Sequence, residues 1–548
     1  MSRYWSFNIL LLLPFLSLFS QMNLGGNGLS IPSNIWLWWG AFIFVLLAVW
    51  DVVRLKIIKT HRWLFMFVSL CVVLFIAGSL QVHWKNTNSW LPILMAMIIL
   101  IGFVWALLQQ EWHQNQLNQL MLSIVLLGGV QALIALVQVF DESQIFYLLT
   151  GYVPFKFSNV PLGSLQQVNM LSSFMAICVI MSMWLLVVIQ YSVKHRILLW
   201  VIAVLSLYVV LLSGSRAGLI AVVLSLAFLS VALYKKQFLL KNQLFQERLS
   251  SFGSMDNKIG FSKYITLLLS VLLSAGALYY FFPGANGGLE RASLKLYDVW
   301  LGTDLRLYLY QLSWQTFLHS PWIGYGLDNY SEALMRRINE VGQSPQFSHI
   351  DLSRFQHPHN EILFWLVQTG LLGGVAIFSV MVWVLGQWFK LTSAKFWLLI
   401  AFIFPLAFQA QLSFPFRLSA LHLLLFILFT TLGLLWVKET KSINFELKRL
   451  GSISIKLSVL LIGVSATLFA FWTSKSVSEV YYFENRMFLY QNDDWQEHEA
   501  LYFTFASWHP FYKQDVDLTM KNMLEIAQSK NNEYDKKKYI EWKAYVQN

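Results

Sequence analysis

The sequence predicts an all-α polytopic integral membrane protein, and three features carry this prediction. Apolar residues make up 57% of the 548 residues, and charged residues only 12%, which is about half the share found in soluble domains. Apolar runs long enough to cross a bilayer recur from end to end. A β-barrel would instead show short segments of alternating polarity. The composition therefore excludes a soluble enzyme, a disordered chain and a secreted disulfide scaffold.

Thirteen apolar runs are candidate spans, which gives twelve or thirteen transmembrane helices because the first two runs are short. The first run follows Arg3 and could be a signal peptide, but no good pair of small residues for cleavage comes after it. We therefore expect a retained helix. The runs lie at roughly 7–20, 35–50, 63–82, 90–108, 117–140, 170–191, 197–213, 217–234, 264–282, 360–388, 396–412, 418–436 and 455–472.

Lysine and arginine residues indicate the orientation, because they concentrate in cytoplasmic loops. With the N-terminus in the cytoplasm, the inside segments hold twenty of these residues and the outside loops hold ten. This asymmetry also explains most of the net charge of +11 without a nucleic-acid partner. The predicted organisation is N-terminal transmembrane helices at 1–282, an outer loop at 283–358, C-terminal transmembrane helices at 359–472 and an outer tail of short amphipathic helices at 473–548.

Arg216 lies in the short turn "SGSRAG" between two apolar spans on the outer side. An arginine next to hydrocarbon is usually paired or functional, although one at a helix end can also extend its charge into water. The small residues around it permit close approach of the backbone to an anion. Arg216 would also begin the next helix, where the helix dipole favours negative charge. The turn therefore indicates an anion site.

Residues 302–330 predict an amphipathic helix at 304–318 and then a turn from Pro321 to Gly326. Arg306 falls in the first turn of this helix, where the dipole disfavours a cation. Its position suggests a nearby anion, either a bound phosphate or Asp304. From the residues alone, a solvated surface arginine is the favoured alternative.

The segment "HPHNEILFWLVQTGLLGG" opens a long apolar helix with two histidines. Pro358 holds His357 extended, and Asn360 is a natural N-cap with Glu361 in the first turn. A helix N-terminus and neighbouring arginines lower the pKa of His359 and keep it neutral, so that it can accept a proton. No further ligands lie at metal-type spacing, which disfavours a metal site. A purely capping role is the alternative.

Two amides precede a span in "GSLQQVNMLSSF". Gln167 and Asn169 could bind sugar hydroxyls, but the residues alone favour helix capping.

Together these motifs resemble the bacterial O-antigen ligase and O-linked oligosaccharyltransferase superfamily. The resemblance rests on "SGSRAG", "DLRLYLYQ…HSPWIGYGLDNY" and "HPHNEILFWLVQTGLLGG", in the family's order and on one membrane face. "QQVNMLSSF" is similar to the Gln-Pro-Asn element of the protein-glycosylating branch, with Val168 in place of the proline. The outer tail also looks like that branch.

The resemblance implies an inner-membrane glycosyltransferase whose active site faces the periplasm. Its donor would be a glycan on undecaprenyl diphosphate, and its reaction would need neither metal nor cofactor. The resemblance implies catalytic roles for His359, Arg306 and Arg216. We also assign substrate binding to His357, Asn360, Gln167 and Asn169.

Three acceptors remain open. The first is a serine or threonine of an exported protein such as a pilin, which the tail favours as a docking surface. The second is the lipid A core, as in an O-antigen ligase, and the third is a growing chain, as in an O-antigen polymerase. A flippase or transporter is a different class, and it would need polar residues along the middle of the spans.

Overall fold

A computed structural model of the chain describes residues 4–19, 34–80, 87–140, 160–189, 191–241, 261–284, 287–300, 304–345, 352, 357–437, 441–446, 449–489 and 509–510. Within these ranges, twelve helices are long and apolar enough to cross a membrane. This finding confirms the all-α polytopic class.

The first half of the chain supplies most of the spans. Its elements are α1 (Trp5–Leu12), a 3₁₀ helix (Leu13–Phe19), α2 (Ile35–Leu55), β1 (Ile57–Thr60), α3 (Arg62–Ser79), α4 (Thr87–Gln109), α5 (Gln114–Phe140), a second 3₁₀ helix (Gly163–Leu165), α6 (Val168–Val188), α7 (Val193–Ser213), α8 (Arg216–Lys241) and α9 (Phe261–Phe281).

The second half adds a helical insertion and four more spans. Its elements are α10 (Gly288–Trp300), α11 (Leu305–His319), α12 (Tyr330–Val341), α13 (Glu361–Trp388), α14 (Ser393–Leu412), α15 (Pro415–Leu418), α16 (Ala420–Val437), β2 (Lys441–Asn444) and α17 (Arg449–Leu489). Every predicted run coincides with a helix. The last helix continues past residue 472 to Leu489, and most of the predicted tail lies outside the described residues.

The first apolar run is too short to count among the twelve spans. It forms α1 and the 3₁₀ helix and packs into the core, where Phe7 and Leu10 are buried. Both the amide and the hydroxyl of Ser6 donate to Asp51 Oδ2 of α2, at 2.9 and 2.8 Å. The segment is therefore an integral part of this fold, and its retention stays a prediction.

Helix α6 lies at the centre of the bundle, and 94% of the residues in its apolar segment are buried. Close packing explains this position, because small residues let the neighbouring helices approach. A Cβ atom on Gly128 of α5 would lie within 2.4 Å of Cys178 Sγ, and one on Gly218 of α8 would meet Ser172 Oγ at 1.7 Å. This packing brings the start of α6 beside the start of α8.

A two-stranded antiparallel sheet, which the sequence analysis did not predict, pairs β1 with β2. Ile57 is opposite Asn444 and Thr60 opposite Lys441. The sheet follows the C-terminal end of α2. The sheet therefore lies at the opposite end of α2 from Asn34, whose side chain donates to the carbonyl of Leu418 at the end of α15.

Helix α13 is broken at Gly370, where φ is 60° and ψ is −159°. The turn from Pro321 to Gly326 docks into the break. Gly326 N donates to Gln368 O at 2.9 Å, and Leu371 N donates to Pro321 O at 2.7 Å. These bonds satisfy backbone groups that the break would otherwise leave unpaired. The predicted continuous helix thus consists of two segments with the outer loop attached between them.

Candidate active site

Three helix N-termini meet at one end of the bundle, which we call the site face. Arg216 begins α8, Asp304 caps α11 and Asn360 caps α13. An ion pair joins the first two N-termini, and a hydrogen bond from α11 joins the second to the third. Because each N-terminus carries partial positive charge, the site face favours an anionic ligand.

The turn that carries Arg216 is fixed by its small residues. Gly214 has a φ of 59°, and a Cβ atom there would lie 2.3 Å from Gly288 O. The group that approaches the turn closely is therefore the backbone at the start of α10, and the predicted close approach to an anion stays a prediction. Ser215 Oγ accepts from Gly218 N at 3.2 Å and donates to Asn169 Oδ1 at 2.8 Å. Asn169 of α6 thus holds the turn in place.

Asp304 binds both arginine-bearing segments. Its Oδ2 accepts from Arg216 Nη2 at 2.8 Å, and its Oδ1 accepts from Arg306 N at 2.9 Å. Only 13% of the Arg216 side chain and 12% of the Asp304 side chain are exposed. Burial raises the pKa of Asp304, but the hydrogen bonds and charges of the two arginines outweigh burial, so the pKa lies below its usual value. Asp304 is therefore ionised at neutral pH.

The structure revises the predicted role of Asp304. From the sequence, Asp304 is expected only as an anion near Arg306, whereas in the structure its side chain pairs with Arg216, 88 positions away in the chain. The sequence feature that points to a structural role for Asp304 is its position just before an amphipathic helix, which is typical of an N-cap.

Arg306 lies in the first turn of α11, and its side chain is half-buried. Tyr310 follows four positions later and therefore lies on the same side of the helix. The single proton of its hydroxyl is shared between two acceptors, His359 O at 3.2 Å and Gln411 O at 3.1 Å. Helix α11 thus brings Arg306 and His359 into one site. Sequence reasoning missed Tyr310.

His359 has a left-handed backbone with a φ of 59°, which is strained for a residue other than glycine. Its neighbours hold this conformation. His359 N donates to His357 Nδ1 at 3.3 Å, and its carbonyl accepts from Tyr310. Asn360 Oδ1 accepts from Leu363 N at 3.0 Å, which confirms the predicted N-cap, and Asn360 Nδ2 donates to Gln411 O at 3.2 Å.

Both histidines are neutral at physiological pH. The pKa of His359 falls to about 4, chiefly because the ring is buried; the charge of Arg306 also lowers it, and Asp304 opposes the shift. Burial likewise lowers the pKa of His357, and His359 and Arg417 contribute to the same shift. The predicted direction is confirmed for His359. Burial is the larger cause, and the sequence analysis did not anticipate it.

Arg417 is a further cation that the sequence analysis only counted as an outer charge. It lies in α15 between two spans, and 8% of its side chain is exposed. Its Nη2 donates to Asp328 Oδ1 at 3.0 Å, and its guanidinium lies 4.3 Å from the centroid of the Phe364 ring. Phe416 N also donates to Glu361 Oε1 at 3.2 Å. The sequence could have identified Arg417 as a candidate, because it is a lone arginine between two apolar spans, as Arg216 is.

Gln167 occupies the N-cap position of α6, but its side chain makes no capping hydrogen bond. Among the described residues, its buried Oε1 atom has no hydrogen-bond partner. The capping interpretation is therefore wrong for Gln167. Asn169 reaches the Arg216 turn through Ser215 instead.

The fold is that of a polytopic membrane protein, and the candidate site at one end of its bundle brings together arginine and neutral histidine side chains. A model of the O-antigen ligase family matches residues 201–378, a range that contains Arg216, Arg306 and His359. The match confirms the resemblance to the O-antigen ligase superfamily and supports a glycan-transferring enzyme of that kind. No curated protein matches the chain. Gln167, Asn169 and Arg417 lie outside the matched range.

Proposed function

We propose that the protein is an O-linked oligosaccharyltransferase. It transfers a glycan en bloc from undecaprenyl diphosphate to a serine or threonine hydroxyl of an exported protein, such as a pilin. The reaction takes place on the periplasmic side of the bacterial inner membrane. One observation carries the proposal: Arg216, Arg306 and His359 lie at three adjoining helix N-termini, linked by Asp304 and Tyr310.

In the proposed reaction, the acceptor hydroxyl oxygen attacks the anomeric carbon of the donor sugar. The bond from that carbon to the diphosphate oxygen breaks, and the diphosphate leaves with the electron pair. Arg216, Arg306 and the helix N-termini stabilise this developing charge. The acceptor proton passes to His359, and attack from the opposite side inverts the anomeric centre. No covalent enzyme intermediate is required.

The pKa of His359 couples the base to the donor. With a pKa of about 4, the ring is neutral but weakly basic at pH 7. A diphosphate bound at Arg306 would offset the positive charge that lowers this pKa, and an anion beside the ring favours the protonated form. Donor binding therefore raises the pKa towards the range that suits general-base catalysis.

Metal independence is part of the proposal. In the described ranges, no three His, Cys, Asp or Glu side chains are grouped as a metal site would require. The resemblance provides the reason to expect a reaction without a metal or cofactor, and this expectation stays a prediction.

The second candidate is an O-antigen ligase that acts on the lipid A core, which the description of the matching family favours. An O-antigen polymerase ranks third. The site residues gather at one end of the bundle, which disfavours a flippase or transporter, since those proteins need polar groups along the spans.

Reconstitution decides between the acceptors. Purified protein in liposomes is given undecaprenyl-diphosphate glycan together with either a pilin or a lipid A core acceptor. We expect a glycosylated pilin, and none with Arg306→Ala. Arg336→Ala is the matched control, because Arg336 is exposed on α12 and pairs with Glu332; it should be fully active. Transfer only to the core would establish the ligase, and no transfer to either acceptor would refute both.

A reporter fused at Gln343 tests the face of the membrane independently of activity. Gln343 follows α12 in the loop between α12 and α13, so a periplasmic reporter should be active there. A cytoplasmic signal would overturn the proposed site location.

A further inference from the structure

One side of α11 and of the turn after it carries a row of exposed apolar side chains. Trp314 is 46% exposed, Leu318 54% and Trp322 73%. We call these three residues the apolar foot. The opposite side of α11 packs into the protein, where Leu312 and Phe317 are buried. The foot is thus on the outer side of α11, and the inner side of this helix is already packed against the protein.

The foot is continuous with a membrane span. Leu371 N donates to Pro321 O at 2.7 Å, and Leu372 N donates to Trp322 O at 3.2 Å. Leu371 and Leu372 belong to α13, and their side chains are exposed on its surface. Trp322 therefore lies level with apolar side chains that face out from a transmembrane helix.

The length of α13 places this level at the edge of the bilayer. The break at Gly370 divides the helix, and the segment after it, 371–388, has 18 residues, or roughly 27 Å at 1.5 Å per residue, which is close to the roughly 30 Å of the hydrocarbon core. Lys390 is the first cation after the helix, and it marks the other edge of the core. Counting back about 20 residues from Lys390 reaches Gly370, beside Trp322.

We propose that the apolar foot lies in the lipid bilayer at its boundary on the site face. Tryptophan prefers this boundary, because its ring is apolar and its N–H can bind water or headgroups. The foot exposes part of three side chains, on the order of 300 Å², whereas a specific protein interface buries roughly 500 Å² or more on each partner. Together with the continuity of the foot with α13, this area favours lipid as the occupant.

The foot has a consequence for the site, because α11 carries Arg306 at its other end. Trp322 is bound to α13, and Tyr310 is bound to the His359 loop. Lipid contact at the foot thus helps to fix the position of α11, and with it Arg306, relative to the membrane. The inference goes beyond the proposed reaction and holds for any chemistry at the site.

Site-directed fluorescence quenching tests the proposal. Leu318→Cys and Trp322→Cys are made separately in the full chain, labelled with bimane and reconstituted in phospholipid vesicles. The unmodified protein is the background control, since Cys71 and Cys178 are buried. Asn339→Cys and Glu340→Cys are exposed polar positions on α12. These two variants are the matched controls.

We expect phospholipids with a nitroxide near the headgroup to quench the labels at 318 and 322 several-fold more than those at 339 and 340. Iodide should show the reverse order. Iodide quenching at 318 and 322 as strong as at 340 would overturn the proposal. Protection from both quenchers would also overturn it and would assign the foot to a protein partner or a second copy. Two labelled positions guard against misfolding of one variant.

Discussion

Removing the Tyr310 hydroxyl should misplace the proposed base without disturbing the cations. Tyr310→Phe deletes one oxygen and leaves the ring, so it creates almost no cavity. The hydroxyl links the carbonyls of His359 and Gln411, and Gln411 O still accepts from Asn360 after the change. Burial raises the pKa of the hydroxyl, so in the wild type it is a permanent donor.

The magnitude follows from the hydrogen bond that is lost. The hydroxyl has a single proton, which the two carbonyls share, so the change removes about one hydrogen bond, or about 0.5–1.5 kcal/mol. This energy no longer holds the left-handed conformation of His359, whose strain is itself about 1–3 kcal/mol. At about 1.4 kcal/mol for each tenfold change, kcat should fall roughly 2- to 10-fold. KM for the donor should stay close to the wild-type value, because Arg216, Asp304 and Arg306 keep their contacts.

The assay measures initial rates of glycan transfer against donor concentration in proteoliposomes. Tyr308→Phe is the matched control, because it lies on the same helix and loses a bond from Ser344 N at 2.9 Å away from His359. It should retain kcat. Equal losses in both variants would mean that α11 is merely loosened. Wild-type kcat in Tyr310→Phe would refute the positioning role.

Three further predictions concern the proposed base His359, the cation Arg216 and the break in α13 at Gly370. In a transfer assay, His359→Ala should reduce the rate about 10²- to 10⁴-fold while the donor still binds. His357→Ala should reduce the rate less. Retained activity in both variants would refute the acid–base scheme. Arg216→Ala should weaken or abolish transfer, and Arg216→Lys should recover only part, since a forked donor becomes a point charge; full activity of the alanine variant at normal expression would remove Arg216 from the mechanism. Gly370→Ala should lower the thermal unfolding temperature in detergent, because a Cβ atom there lies 2.4 Å from Trp322 C at a φ of 60°. Gly386→Ala meets nothing within 4 Å and should not lower that temperature; equal behaviour of the two would contradict the docking of the turn at the break.

The features that the sequence predicted correctly are those with local causes. Each span follows from a single apolar run. The start of α11 follows from Asp304 before an amphipathic pattern, and the cap of α13 follows from Asn360 after a proline. The direction of the His359 pKa shift was predicted as well, but its largest cause is burial of the ring, which depends on packing between distant segments, and the charge of Arg306 is the smaller cause.

The class of the protein, the spans and the helix ends that carry the candidate groups thus follow from the amino-acid order alone. Which of those helix ends meet depends on how the helices pack. The Arg216–Asp304 pair, the Tyr310 bond to His359 and the buried Arg417 depend on packing between distant segments. The break at Gly370 depends on the turn that fills it, since its exposed backbone groups need partners that only another segment supplies. A periodic pattern of apolar residues indicates which side of a helix is buried, but it does not indicate which other helix packs against that side.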